Sequence, residues 1–141
     1  MAVLSISYIN NDYSNAIPTG EKDSKDTSTI FGALNYAVEK LTTAFPYMQI
    51  ILLSPIFRTK LNDREIDIET HRTSAGYTMP ELVNKEKECC DYNHYEFLDA
   101  YHGLGINKYN SGTMLLRDGT HLDNEAMRRI GRLVSGYIFT H

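Results

Sequence analysis

The chain has 141 residues, enough for one domain with its own core, and its 42% apolar and 23% charged content is that of an ordinary globular protein. Its net charge is −4 and its 14 basic residues form no cluster, which argues against a nucleic-acid footprint. The longest apolar run, residues 50–53, is far shorter than the ~20 residues of a membrane-spanning helix, so no membrane span is expected. The start, MAVLSISYINN, has neither the basic residues nor the long apolar stretch of a signal peptide, and the compartment stays unknown.

Residues 2–9 (AVLSISYI), rich in β-branched and aromatic types, read as a strand. The polar stretch 10–28, with Pro18, Gly20 and the charged EKDSKD, reads as a long exposed loop. From Thr29 the residues Ile30, Leu34, Ala37, Val38, Leu41 and Phe45 recur at helical spacing, with N-cap candidates at 26–28 and an exit at Pro46. YMQIILLSP (47–55) is a continuous apolar run, as expected of a strand covered on both faces in a parallel sheet. Within the polar stretch that follows, REIDIET alternates and suits an exposed strand or hairpin arm. Residues 80–91 suit a helix with Pro80 in its first turn, 95–101 a short strand, and 102–112 a glycine-punctuated loop. A last amphipathic helix is capped near Asp123, with Met127, Ile130, Leu133, Val134, Tyr137 and Ile138 on one face. The alternation of strand and helix predicts a single α/β domain over 1–141 with a mostly parallel sheet and right-handed crossovers.

In such folds ligands bind beyond the carboxyl ends of the strands. The groups placed there are Asn10-Asn11-Asp12, Ser54 and Asp99, and the loop containing Asp118 and His121 enters the last helix from the same general side. Asp118-Gly119-Thr120-His121 can bring a carboxylate to one imidazole nitrogen, which fixes the tautomer and stabilises an imidazolium formed during proton transfer. A polar turn before a helix is the alternative, and the residues alone leave both open. Asn10-Asn11, read by itself, is a turn-forming pair. Adjacent Cys89 and Cys90 lack the spacing of a zinc site or a disulfide framework and read as helix thiols, at least one of them buried. The carboxylates of NDREIDIET do not follow a Ca²⁺-loop spacing, and His71, His94, His102 and His141 show no paired ligand spacing. His102 could still line the same cleft as His121. Late tyrosines (Tyr92, Tyr95, Tyr101, Tyr109) suit the core and its rim, with stacking on sugars the alternative.

RDGTHLDNEAMRRIGRLVSGYI resembles the C-terminal block of the SGNH (GDSL-type) hydrolases, where Asp-x-x-His precedes the final helix. SISYINNDYSN resembles that superfamily's third block, a strand followed by Gly-x-Asn-Asp, with Ile9 in place of the glycine. The resemblance implies an SGNH/flavodoxin-like three-layer sandwich. It makes His121 the general base, Asp118 its orienting carboxylate and Asn11 an oxyanion donor, with Asp12 stabilising its loop. It implies no metal and no cofactor, and a substrate that is a small acyl ester or an acylated carbohydrate. The family's nucleophile lies in a Gly-Asp-Ser block ahead of the Asn block, and no GDS or GxSxG occurs in these residues. Ser24 has no strand leading into it, Pro55 restricts Ser54, and Ser74 and Ser111 look like turn residues. The expectation is a fold apparently without its first strands and helices, inactive alone. It would be completed by a missing N-terminal segment or another copy of the chain on the exposed sheet edge. A non-catalytic binding or assembly module derived from the same fold is the alternative.

Overall fold

A computed structural model describes residues 2–7 and 9–140. The expected first strand forms as β1 (Val3–Ile6), with Tyr8 outside the described residues. It runs into a short helix, α1 (Ile9–Ser14), where the polar composition predicted only loop. Ile9 and Tyr13, one helical turn apart, are both buried, and that burial holds the turn in place despite its Asn-Asn-Asp sequence. Ile9, at the position where the resemblance expects glycine, is thus a core residue.

After a loop, α2 (Ile30–Ala44) is capped by Thr29, whose hydroxyl accepts from the Gly32 N–H, rather than by residues 26–28. Next come β2 (Gln49–Leu53) and a hairpin with two-residue arms, β3 (Lys60–Leu61) with β4 (Arg64–Glu65); of the REIDIET alternation, Arg64–Glu65 becomes strand. Helix α3 (Met79–Asn93) begins with a capping box between Thr78 and Glu81 and has Pro80 in its first turn. The strand expected over 95–101 is shorter, β5 (Glu96–Leu98), because Asp99 accepts from the His102 N–H and starts the one-turn α4 (Ala100–Gly103). A second one-turn helix, α5 (Ser111–Met114), lies in the stretch read as loop and turn. The last helix, α6 (Asn124–Thr140), is capped as expected, with the Ala126 N–H donating to Asp123 Oδ1 at 2.8 Å.

The three main strands form a parallel sheet in the order β1-β2-β5. Ile6, Leu52 and Phe97 are register partners on one face and pack with Ile30, Phe31, Leu34, Leu82 and Val83 of α2 and α3. On the opposite face Glu96 accepts from Tyr137 of α6, and a second core joins Ile56, Leu104, Ile106, Met114 and Leu115 to Ala126. Helices therefore cover both faces, giving the three-layer α/β arrangement. Burial of each large apolar side chain in these layers contributes about 1.5–3 kcal/mol. Because all three strands run the same way, their carboxyl ends deliver α1, the segment after Ser54, and Asp99 to one end of the sheet.

Candidate active site

The loop from Leu116 to His121 is a tight hairpin closed by the Leu115–Leu122 bridge and a 2.8 Å bond from the Leu116 N–H to the His121 carbonyl. Gly119 takes φ +66°, and a Cβ there would lie 2.6 Å from Thr59 Oγ1, so both backbone and space require glycine. The turn folds Asp118 over the residues that follow it. Its Oδ1 accepts the backbone N–H groups of Thr120 (2.9 Å) and His121 (3.0 Å), and its Oδ2 lies 2.5 Å from His121 Nδ1. These bonds, led by the one from the His121 N–H, hold the Asp118 carboxyl well below the usual carboxylate range. An ionised carboxylate only accepts, so Nδ1 carries the proton and Nε2 is left as the basic nitrogen. The imidazole is 75% exposed, so that nitrogen is accessible.

Residues 58–60 clamp this loop from the side of β2. The Thr59 N–H donates to the Gly119 carbonyl at 2.9 Å, and Lys60 Nζ donates to the Arg117 carbonyl at 3.0 Å. Arg58, 3% exposed, donates from Nη2 to Thr120 Oγ1 (3.4 Å) and from Nη1 to Ser14 Oγ (2.7 Å) and the Asn10 carbonyl (3.4 Å). One guanidinium thus joins the Asp118–His121 loop to α1, the element that carries Asn10, Asn11 and Asp12. Sequence reasoning missed Arg58, although a lone arginine five residues beyond an apolar strand, in a segment bound for the sheet's ligand end, was a usable signal.

Asn11 is exposed on α1, whereas Asn10 is half-buried and its side-chain Oδ1 is buried without a hydrogen-bond partner among the described residues. Asp12 ties its loop through the backbone: its carbonyl accepts from the Ile17 N–H at 3.0 Å, and the Tyr77 hydroxyl donates to the Ile17 carbonyl at 2.7 Å. Burial raises the pKa of the Asp12 carboxyl. Ser54 is fully buried, donating to the Pro55 carbonyl (2.9 Å) and accepting from the Tyr101 N–H (2.9 Å), which makes it a strand-end staple.

The structure also pairs Asp99 with His102, a link the sequence reading did not make although the spacing repeats that of Asp118 and His121. His102 Nδ1 lies 2.7 Å from Asp99 Oδ2 while the His102 N–H donates to Oδ1. Here the carboxylate caps a helix, so an Asp-x-x-His pair can arise from capping alone. Asp118 differs in closing a hairpin that is bonded through Arg58 to α1. Cys89 and Cys90 are both buried, and burial raises both thiols, Cys89 to about 11. Among the described residues no three His, Cys, Asp or Glu side chains group as metal ligands, and no helix is long and apolar enough to cross a membrane.

No protein-family profile and no curated protein matches the chain by sequence. Several solved structures match its fold. A Lactobacillus plantarum protein superposes with TM-score 0.83 at 19% identity, covering 99% of this chain and 67% of that one. A possible lipase from Chitinophaga pinensis gives 0.74 at 15%, covering 98% and 71%. A GDSL-like lipase from Parabacteroides merdae gives 0.61 at 19%, covering 93% and 57%. The chain has the SGNH/GDSL hydrolase-like fold. It spans between 57% and 71% of these three neighbours' length.

Proposed function

We propose that the chain supplies the Asp-His portion of an SGNH-type serine esterase or acyl hydrolase, and that the nucleophilic serine comes from outside these 141 residues. The observation that carries this reading is the 2.5 Å contact between Asp118 Oδ2 and His121 Nδ1, which leaves an exposed Nε2 as the free base. In the complete enzyme Nε2 takes the serine hydroxyl's proton as its oxygen attacks the ester carbonyl. The imidazolium, paired with Asp118, then returns that proton to the departing alcohol. Water repeats the sequence on the acyl-enzyme, releasing the acid and restoring the serine. Asn11 donates its side-chain amide to the oxyanion. The substrate is a small acyl ester or an acylated carbohydrate, and no cofactor enters the scheme.

The test is p-nitrophenyl acetate hydrolysis. The 141-residue chain alone is expected to be inactive, and activity should appear when a segment carrying Gly-Asp-Ser is joined or added. His121→Ala should then lower kcat by about a thousandfold or more. Robust hydrolysis by the chain alone that His121→Ala abolishes would overturn the division of labour. Activity unaffected by His121→Ala in the completed enzyme would overturn the catalytic assignment.

A binding or assembly module is the second reading, favoured by the sheet order: among the described residues β1 pairs only with β2 and leaves its outer edge open. Such an edge is a template for another strand, from an N-terminal segment or a second copy of the chain. Under this reading a strand-bearing partner binds at β1 and no completed form hydrolyses esters.

A further inference from the structure

We propose that Arg58 is a positioning residue, a guanidinium strut that fixes the Asp118–His121 hairpin against α1 and so sets where His121 stands relative to the loop after the first strand. Its catalytic meaning rests on the hydrolase reading above; its structural claim does not.

Arginine is almost never fully buried unless its donors are satisfied, and Arg58 is nearly so. Its fork reaches three separate elements. Nε donates to the Lys60 carbonyl at 3.0 Å and anchors the head to the start of β3. Nη1 holds α1 through Ser14 Oγ, and Nη2 holds the hairpin through Thr120 Oγ1. Arg58 Cζ lies over the Tyr13 ring of α1, 5.7 Å from its centroid, a cation–π contact that adds to the hold on that helix. Thr120 is the residue between Asp118 and His121, and its own N–H is one of the two backbone donors that Asp118 accepts. A pull on the Thr120 hydroxyl therefore acts on the turn that brings carboxylate and imidazole together. Burial lowers the pKa of Arg58, and the charges of Tyr13 and the Asp118 carboxylate oppose that effect.

A lysine could keep the charge but not the three-way fork. An arginine serving only to fill space would be replaceable by an apolar chain of similar volume. A strut instead requires both hydroxyl ends. Ser14 and Thr120 lie on different elements, 106 residues apart in sequence, and meet through this one side chain.

The test is amide hydrogen exchange and the His121 Nδ1 proton resonance, followed by NMR on the ¹⁵N-labelled 141-residue chain. Arg58→Lys should speed exchange of the Thr120 and His121 amides by about tenfold or more through local opening, while the Leu52 and Leu82 amides keep their rates. The Nδ1 proton should broaden in the same variant. Adding ethylguanidinium to Arg58→Ala should restore protection. Should the Arg58 variants fail to fold, Ser14→Ala decides, since it leaves Arg58 and the hairpin intact. The strut requires Ser14→Ala to loosen the same two amides from the far end. Folded variants in which both amides keep wild-type rates, Ser14→Ala included, would overturn the proposal. Loosened amides in a completed enzyme that hydrolyses no ester would leave the strut standing and remove the hydrolase reading. Unchanged amides in an active enzyme would do the reverse.

Discussion

Each residue that matters at the candidate site is defined by what its polar atoms can reach. Asp118 collects three donors and stays ionised, and that decides which nitrogen of His121 can act as base. Gly119 makes this possible by accepting φ +66° against Thr59. Gly119→Ala should therefore destabilise the chain by about 1–3 kcal/mol in urea unfolding, because a Cβ meets both the backbone strain and the Thr59 hydroxyl. Glu86 is the opposite kind of residue. It is fully buried on α3, neither carboxyl oxygen has a hydrogen-bond partner among the described residues, and burial, with the nearby Asp99 charge, pushes its pKa well up. The folded chain then holds a proton that the unfolded chain releases near pH 4.5. Stability is full below that value and falls as pH rises toward the raised folded pKa, by about 1.4 kcal/mol per pH unit. Thermal unfolding followed upward from pH 5 should show this decline, and Glu86→Gln should flatten it. An equal slope in both proteins would show that Glu86 is not its source.

At the scale of elements, local signals and tertiary contacts divide the work. Helix α3 carries its own start in the Thr78–Glu81 capping box, so Thr78→Ala should cost about 1 kcal/mol, read as a lowered urea midpoint with an unchanged slope. Helix α1 carries no such start. Its composition reads as turn, and it exists because Ile9 and Tyr13 enter the core while Arg58 bonds Ser14 and the Asn10 carbonyl. The exposure of Asn11 and the unpartnered Oδ1 of Asn10 make this helix the place to test the oxyanion assignment. In a completed enzyme Asn11→Ala should lower kcat by about a hundredfold with little change in KM. If Asn10→Ala does so instead, the donor is one residue earlier.

For the whole molecule, the parallel sheet β1-β2-β5 between two helical layers gathers the strand ends, and among the described residues β1 pairs only with β2. The three neighbours described above are longer, with 57–71% of their length matched. A clean monomer by light scattering at high concentration would count against assembly between copies through that edge. Binding of a strand-bearing segment that protects the β1 amides from exchange would support completion there.

Periodicity and punctuation in the sequence were enough to reveal the alternation of strands and helices, the parallel sheet and the start of α6, because those signals lie within one turn or one strand of each residue. The Asp118–His121 pair was legible for the same reason, its two members being three residues apart. What needed the tertiary structure was everything that depends on distant chain segments meeting. The helical form of α1, the burial of Ser54 and the reach of Arg58 to both Ser14 and Thr120 are settled by packing across tens of residues, which no local pattern encodes. Asp99–His102 shows the converse: the same spacing closes the same bond, and only its place as a helix cap sets it apart from the candidate site.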